Sequence, residues 1–340
     1  MYNQLENFSP RLIDDAFSSL LLEAEETAFS LLFKKLERGT IARKKIKGKV
    51  YVYIQTYKNG KYYYTYLGPE KDPRVTNIVK NFQEKKALVQ HLKEREKLFV
   101  KTLKELGIIP VQGMMAKILK VLSEEGVISG QFGILIGTLA FYAYQIKLGF
   151  TLSQKTPIMR TADVDIARGE PVILFIKETT MLSKILEKLG DKFIPEGRIS
   201  EGFPLRLVHI NSGIKIEVLA PKKGSAEVFF LTKNSVPAVI LGERRLIPVH
   251  VPSPEYFALH KLIVVGRRSQ EPLKIQKDLL QVYTLFKVLH LRKEVFLLEE
   301  AFEELKKYLK FKKTKNYFEK GLKFLTQLSD IPEEILNIIS

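Results

Sequence analysis

An uncharged, largely apolar segment at residues 126–146 places the strongest constraint on how this chain can fold. It reads GVISGQFGILIGTLAFYAYQI, which is about the length of a membrane-spanning helix. Its glycines, serine, threonine and glutamines are more typical of a buried strand that turns into a buried helix. We therefore expect the segment inside a folded domain, with the turn at Gly137 and Thr138, and no membrane partner.

The charge balance narrows the classes of partner. Lysine and arginine number 55 against 38 acidic residues, which gives a net charge of +17. Such an excess suits a nucleic acid, a nucleotide or an anionic membrane surface, although lysine enrichment is also typical of thermophilic proteins. The chain has no cysteine, which excludes disulfides, thiolate zinc sites and cysteine nucleophiles. The N-terminal residues show no signal-peptide pattern, which favours a cytoplasmic protein.

Breaks in the pattern predict an α/β (α+β) protein with three parts. Residues 1–110 form a helical module that carries a β-hairpin at 41–69. Residues 111–252 mix strands and helices, and residues 253–340 are helical. Glycines and prolines near 107–113 and 248–254 mark the two boundaries.

The hairpin segment is both basic and rich in tyrosine. Asn59-Gly60 separates two tyrosine-rich runs, which is a strong hairpin signal. Residues 41–69 contain seven lysines and arginines and no acid. Lysines can follow a phosphate backbone while tyrosines stack on unpaired bases, so we expect nucleic-acid contacts here. The candidates are Lys45, Lys47, Lys49, Tyr51, Tyr53 and Lys61. Alternatively, the tyrosines pack on a helix at 74–106 and the lysines protect a sheet edge.

Two alternating segments carry carboxylates. In TADVDIA (161–167), Asp163 and Asp165 share one face of a strand, about 7 Å apart. Hard oxygen ligands so arranged suit Mg²⁺, or else the two side chains are simply solvated. A later strand, IKIEVL (214–219), offers Glu217 as a third carboxylate or as an exposed residue. Gly137 and Thr138 begin a helix whose free N–H groups suit a phosphate, unless this is an ordinary strand-to-helix turn.

Together these motifs resemble the nucleotidyltransferase superfamily that includes DNA polymerase β. The series LIGTLAFYAYQIKLG, RTADVDIA, IEVLAP, VPSPEYFALHKLIVVGRR and KIQKDLLQVYTLF is similar to a bacterial family of nucleotidyltransferase-fold proteins. The stretch from the carboxylates to PEYFALHKL also resembles abortive-infection nucleotidyltransferase toxins. The resemblance covers roughly residues 40–290. It implies a mixed-sheet nucleotidyltransferase core between the N-terminal helix and hairpin module and the C-terminal helical domain.

The resemblance also implies roles for particular residues. Asp163, Asp165 and Glu217 would be catalytic and would hold Mg²⁺ or Mn²⁺. Nucleotide-binding residues would be Gly137, Thr138, Arg160 and Lys261. The reaction would move a nucleoside monophosphate from a nucleoside triphosphate to an acceptor hydroxyl, and RNA or tRNA is the favoured acceptor.

Two alternatives remain open at this point. The superfamily usually has aspartate where this chain has Glu217, which fits a nucleic-acid-binding protein that kept the fold and lost the chemistry. The other alternative is a toxin-type nucleotidyltransferase that an antitoxin partner holds in check.

Overall fold

A computed structural model describes residues 10–33, 39–58, 60–131, 133–152, 172–176, 193–195, 199–200, 203–204, 206–219, 226–268, 271–328 and 331–340. The chain divides into two compact units. The larger unit comprises residues 1–25 and 99–340, and the smaller unit comprises residues 26–98. Helices and strands occur in both, which confirms the predicted α/β class.

The first part of the chain supplies one three-stranded antiparallel sheet. The elements are β1 (Arg11–Leu12), a short 3-10 helix (Asp15–Phe17), α1 (Ser18–Phe33), β2 (Thr40–Ile46), β3 (Lys49–Lys58), β4 (Lys61–Pro69) and α2 (Pro73–Glu105). The sheet order is β2-β3-β4. The predicted hairpin is confirmed as β3 and β4, and the sequence reasoning missed β2. Lys47 and Gly48 both have positive φ, 48° and 78°, as the two-residue turn between β2 and β3 requires.

One face of this sheet packs on α2. Val52 of β3 forms a small core with Val75 and Val79 of α2, and Ile41 and Leu67 lie against it. Val75 and Val79 are four residues apart, so they share one face of the helix. The opposite face of the sheet carries none of these core residues.

The larger unit contains the rest of the described elements. They are α3 (Gly113–Glu124), β5 (Gly133–Ile136), α4 (Thr138–Leu148), β6 (Phe150–Thr151), β7 (Val172–Ile176), β8 (Phe193–Pro195), β9 (Ile199–Ser200), β10 (Phe203–Pro204), β11 (Arg206–His209), β12 (Lys215–Leu219), α5 (Ala226–Lys233), β13 (Ser235–Leu241), β14 (Leu246–Pro252), α6 (Pro254–Arg267), α7 (Pro272–Leu291), α8 (Val295–Leu309), α9 (Lys312–Leu325) and α10 (Glu333–Ile339).

A mixed sheet of five strands lies in this unit, in the order β5-β7-β12-β11-β8. Strands β7 and β12 run parallel, and the other neighbours run antiparallel. Strands β13 and β14 form a separate antiparallel pair. One hydrophobic core extends from Val111 to Ile339 and includes the C-terminal helices. The division at 110/111 and 252/253 stays a prediction.

The uncharged segment folds as expected, into β5, a glycine turn and α4. Every residue of β5 is buried, and so is every residue from Thr138 to Ile146. No helix in the described part of the chain is long and apolar enough to cross a membrane.

Helices α6 and α9 cross at a pair of glycines. A Cβ atom on Gly266 would overlap the backbone of Tyr317, and one on Gly321 would overlap the backbone of Leu262. The two backbones therefore touch where any side chain would hold them apart. This close crossing fixes α6, which carries Lys261.

Candidate functional site

The turn between β5 and α4 offers a place for a phosphate. Gly137 has φ 74° and ψ −158°, a conformation that glycine adopts readily and other residues avoid. It occupies the N-cap position of α4, and Thr138 is the first, buried residue of the helix. A helix N-terminus presents unpaired N–H groups and the positive end of the helix dipole, both of which attract an anion.

The register of the mixed sheet relates this turn to Glu217. Ile136, the last residue of β5, lies opposite Ile173 of β7, which in turn lies opposite Glu217 of β12. Residues directly opposite each other on neighbouring strands point to the same face, and neighbouring strands are about 4.8 Å apart. Glu217 therefore shares a sheet face with Ile136, two strands away, in the row where β5 ends and the glycine turn begins. The side chain of Glu217 is half-buried.

The two predicted aspartates cannot be placed in this row. Asp163, Asp165 and Arg160 all lie in 153–171, outside the described residues, and so does the strand predicted at 161–167. Their convergence with Glu217 remains a prediction. Within the described ranges, no three histidine, aspartate or glutamate side chains are grouped closely enough to hold a metal ion.

A buried ionic cluster joins α6 and α7. Lys261 donates a hydrogen bond from Nζ to Oδ1 of Asp278 at 2.6 Å. The side chain of Lys261 is 9% exposed and that of Asp278 is fully buried. The Nε atom of Arg268 lies 3.0 Å from Oδ2 of the same carboxylate, as an ion pair without the alignment of a hydrogen bond. Two cationic side chains thus share one buried carboxylate.

The electrostatics of this cluster follow from that geometry. Burial raises the pKa of Asp278, but the charges of Lys261 and Arg268 outweigh burial, and the net pKa lies below the usual value. The neighbouring His260 behaves differently. Loss of hydration, together with the charge of Lys261, lowers the pKa of its imidazole to about 3. His260 is therefore neutral near pH 7, as a structural residue would be.

The sequence reasoning missed the role of Arg268 in this cluster. Neither Arg268 nor Asp278 is among the site residues that the sequence predicts. The available signal was spacing, because Lys261 and Arg268 are seven residues apart and so face the same direction. Their common partner on the next helix was not visible in that spacing.

The tyrosines of the smaller unit share the sheet face that points away from the Val52 core. In the register, Tyr53 lies opposite Tyr66, Tyr57 opposite Tyr62, and Gln55 opposite Tyr64. Because side chains alternate along a strand, these residues lie on the face opposite Val52. We call this surface the tyrosine face; it consists of Tyr51, Tyr53, Tyr57, Tyr62, Tyr64 and Tyr66. The alternative in which these tyrosines pack on the long helix is wrong for this face.

Lys44 lies among these rings. Its Nζ atom is 3.6 Å from the centroid of the Tyr64 ring and 5.5 Å from that of Tyr53. Lys44 pairs with Tyr51 in the register, so it shares the tyrosine face. Lys44 is not among the nucleic-acid candidates that the sequence predicts.

The sheet divides the predicted nucleic-acid residues into three groups. Lys49, Tyr51 and Tyr53 lie on the tyrosine face, because they alternate along β3. Lys47 occupies the turn between β2 and β3. Lys45 and Lys61 lie at register positions on the opposite face. One extended surface therefore cannot be formed by all six side chains together.

A comparison with known families bears on the larger unit. A family model described as Nucleotidyltransferase matches residues 113–229 and 228–307, which is more than half of the chain. This chain belongs to that nucleotidyltransferase family. The matched range includes the glycine turn, Glu217, Lys261 and Asp278, and it ends within α8.

Membership confirms the coarse functional prediction. The chain is an enzyme of the nucleotidyltransferase class, which uses a nucleoside triphosphate as its substrate. Residues 40–69, which include the tyrosine face, lie outside the range that the nucleotidyltransferase family model matches. No curated protein and no solved structure gave a match.

Proposed function

We propose that this nucleotidyltransferase uses Mg²⁺ or Mn²⁺ to transfer a nucleoside monophosphate to a hydroxyl group of RNA, with the 3′ end of tRNA as a favoured acceptor. The observation that carries the proposal is the register of the mixed sheet within the matched range. It places Glu217 in the row where β5 ends and the Gly137 turn begins. The carboxylate of Glu217 can bind a cation, and the N-terminus of α4 can bind a phosphate.

The donor set fits a hard divalent cation. Asp163, Asp165 and Glu217 would hold it, since carboxylate oxygens are the ligands that Mg²⁺ prefers. Glu217 is half-buried on a sheet face and is therefore reachable from solvent. When bound, the cation supplies charge for the triphosphate and lowers the pKa of an attacking hydroxyl.

The chain's own groups have separate tasks in this proposal. The backbone N–H groups of the residues after Gly137, at the N-terminal end of α4, bind phosphate oxygens. Lys261 neutralises the triphosphate, and its hydrogen bond to Asp278 fixes the direction of Nζ. Arg160 adds a further cation. Because the N-terminus of α4 and Lys261 are already oriented before the substrate binds, they stabilise the developing charge without reorganisation.

Two features support RNA as the acceptor. The chain carries a net charge of +17, which attracts a polyanion. The acid-free segment at 41–69 presents exposed aromatic rings as well as cations. A small-molecule acceptor would need neither feature.

Transfer of label tests the proposal. The full chain is incubated with each α-labelled nucleoside triphosphate, Mg²⁺ or Mn²⁺, and either total RNA or total protein. We expect labelled RNA, and we expect Asp163→Asn, Asp165→Asn and Glu217→Gln each to abolish labelling. The melting temperature of the aspartate variants should be unchanged or higher, because removing one of two like charges relieves repulsion.

The matched control is Glu243→Gln, which removes an exposed acid in the larger unit and should leave labelling unchanged. Full activity of Asp165→Asn would contradict the metal site. Label on protein instead of RNA would overturn the RNA acceptor and favour the toxin-type alternative. If no label is transferred to any acceptor, the result would favour the alternative of a nucleic-acid-binding protein that kept the fold and lost the catalytic activity.

A further inference from the structure

The tyrosine face combines exposure, aromatic rings and positive charge on one surface of the described chain. Tyr57, Tyr62, Tyr64 and Tyr66 are among the large side chains that remain exposed to solvent. Exposed aromatic patches of this kind mark interaction surfaces. The hydrophobic requirement of the sheet is already met on its other face, where Val52 packs on α2. The tyrosines are therefore not needed for that core.

No parallel stacking covers the flat faces of these rings, and the Nζ atom of Lys44 lies over one face of Tyr64. Tyr57 and Tyr62 have ring centroids 4.8 Å apart with planes at 56°, and Tyr53 and Tyr66 are 5.4 Å apart at 55°. Tyr53 and Tyr64 meet edge to face at 88°. None of these contacts is a parallel stack, so none of them covers a ring with another ring. Along β4, alternate tyrosines follow each other at about 6.8 Å, which forms a row of separate platforms.

The charge on this surface is entirely positive. Residues 41–69 contain no acid, and Glu70, the first acid after them, is paired with Arg43 at 2.6 Å. Lys44 and Lys49 lie on the tyrosine face itself. A partner for this surface must bring negative charge as well as flat apolar groups.

We infer that the tyrosine face binds single-stranded RNA, with unpaired bases stacked on Tyr62, Tyr64 and Tyr66 and with phosphates near Lys44 and Lys49. A single-stranded polynucleotide presents both a π surface and a phosphate at every residue, and aromatic residues beside basic ones are the usual way to bind it. A duplex hides its base faces within the stack and offers only its backbone. This inference deepens the proposed function, because it states how the RNA acceptor is held.

Neighbouring residues on opposite faces provide matched controls. Tyr62 is 61% exposed on the tyrosine face, and Tyr63 is 51% exposed on the other face. Lys44 likewise lies on the tyrosine face and Lys45 on the other face. In each pair both residues are exposed and adjacent in the sequence, and the same substitution is made on opposite faces of the sheet.

The experiment measures binding of the full chain to a labelled, unstructured 12-nucleotide RNA, without nucleoside triphosphate, by fluorescence anisotropy at several salt concentrations. Tyr62→Ala and Tyr64→Ala should each weaken binding at least fivefold, which is the lower end of the effect of losing one stacked base. The phenylalanine variants should retain binding, since they keep the ring. Tyr63→Ala should bind within twofold of the wild type.

The lysine pair tests the charge separately. Lys44→Ala should lower the slope of log K against log salt by about 0.7, as expected for one lost phosphate contact on a single strand. Lys45→Ala should leave that slope unchanged. Circular dichroism confirms that each variant is folded.

Specific outcomes overturn the inference. Equal losses for Tyr62→Ala and Tyr63→Ala, or equal binding of the same RNA as a duplex, would show that stacking on this face does not hold the strand. Equal binding of single-stranded DNA would support base stacking and would show that the ribose hydroxyl is not read. Because no nucleotide is transferred in this assay, RNA binding that depends on the tyrosines would stand even if the labelling experiment failed. Conversely, RNA labelling without tyrosine-dependent binding would overturn this inference and leave the proposed function in place.

Discussion

Two lysines, each beside an aromatic ring, show how differently the two units use the same side chain. Lys44 lies 3.6 Å from the ring centroid of Tyr64 on an open sheet. Lys261 lies 5.4 Å from the ring centroid of Phe257, but it is buried and hydrogen-bonded to Asp278. Strand register fixes the sheet face on which Lys44 lies, whereas the partner of Lys261 depends on how two helices pack.

The difference has an energetic consequence. A cation on an exposed ring is worth about 0.5–1 kcal/mol and is free to exchange that contact for another. A buried charge requires a partner, because removing one member of a buried pair leaves the other charge uncompensated. We therefore expect substitutions in the buried cluster to affect folding and substitutions on the tyrosine face to affect binding.

Asp278→Ala should have the largest effect on stability. It leaves Lys261 and Arg268 facing each other without the carboxylate, and the loss of one partner from a buried pair costs about 3–5 kcal/mol. Urea denaturation measures the free energy of unfolding. The double variant Lys261→Met, Asp278→Leu should recover part of the stability, because it removes both members of the hydrogen-bonded pair and leaves Arg268 with Glu271, and it should still lack nucleotidyl transfer. A loss below about 1 kcal/mol for Asp278→Ala would show that the cluster contributes no more to the free energy of unfolding than an exposed ion pair.

Gly321→Ala should come next. Alanine normally stabilises a helix interior by about 0.5–1 kcal/mol relative to glycine. Here the added Cβ meets the backbone of Leu262, so we expect a net loss of about 1–3 kcal/mol from overpacking. The control is Lys320→Ala, an exposed neighbour on α9. A stabilising effect of Gly321→Ala would show that the two helices do not touch at this point.

The pH dependence should reveal His260. Its pKa is lowered to about 3 in the folded chain, from 6.5, so the unfolded chain binds the extra proton between these values. Stability should therefore fall as the pH drops below 6.5, by at most about 1.4 kcal/mol per pH unit. His260→Gln should reduce this slope, and His250, whose pKa is also lowered by burial, should account for a remainder. Denaturation midpoints measured between pH 7.5 and 4.5 check the prediction. If stability depends on pH in His260→Gln as it does in the wild type, the dependence must come from another group.

Asp278 should act at lower pH. Its pKa lies below the usual 3.8, so its contribution to stability is present above pH 3.8 and is lost only as the pH falls through that lower value. The His260 slope can therefore be measured before Asp278 takes a proton.

Tyr62→Ala should have the smallest effect on folding. The ring is 61% exposed and its cross-strand contact with Tyr57 is worth about 0.2–1 kcal/mol. The same variant is expected to lose RNA binding at least fivefold. A loss of stability as large as that of Asp278→Ala would make the tyrosine face structural and end the contrast between the two regions.

Local patterns explain why several parts of the fold were predictable. The hairpin that Asn59-Gly60 predicts and the strand-to-helix turn at Gly137 each depend on a few adjacent residues, and the structure confirms the pairing of β3 with β4 and the turn at Gly137. Strand β2 was missed, although Lys47-Gly48 supplies the turn that joins it to β3. The candidate site as a whole stays a prediction, because Asp163 and Asp165 lie outside the described residues, whereas the family match confirms the class of enzyme.

The sequence by itself determined the alternation that brings six tyrosines to one side of a sheet, because side chains on a strand alternate whatever the strand packs against. It also predicted that the strand and the helix within residues 126–146 are buried, since the glycines and polar residues of this uncharged segment do not suit a membrane-spanning helix. Only the tertiary structure decided which face of the tyrosine sheet is covered and that Asp278 pairs with Lys261 and Arg268. It likewise decided that Glu217 aligns with the end of β5. These relations join residues far apart in the chain, and packing between elements, which no local period encodes, sets them.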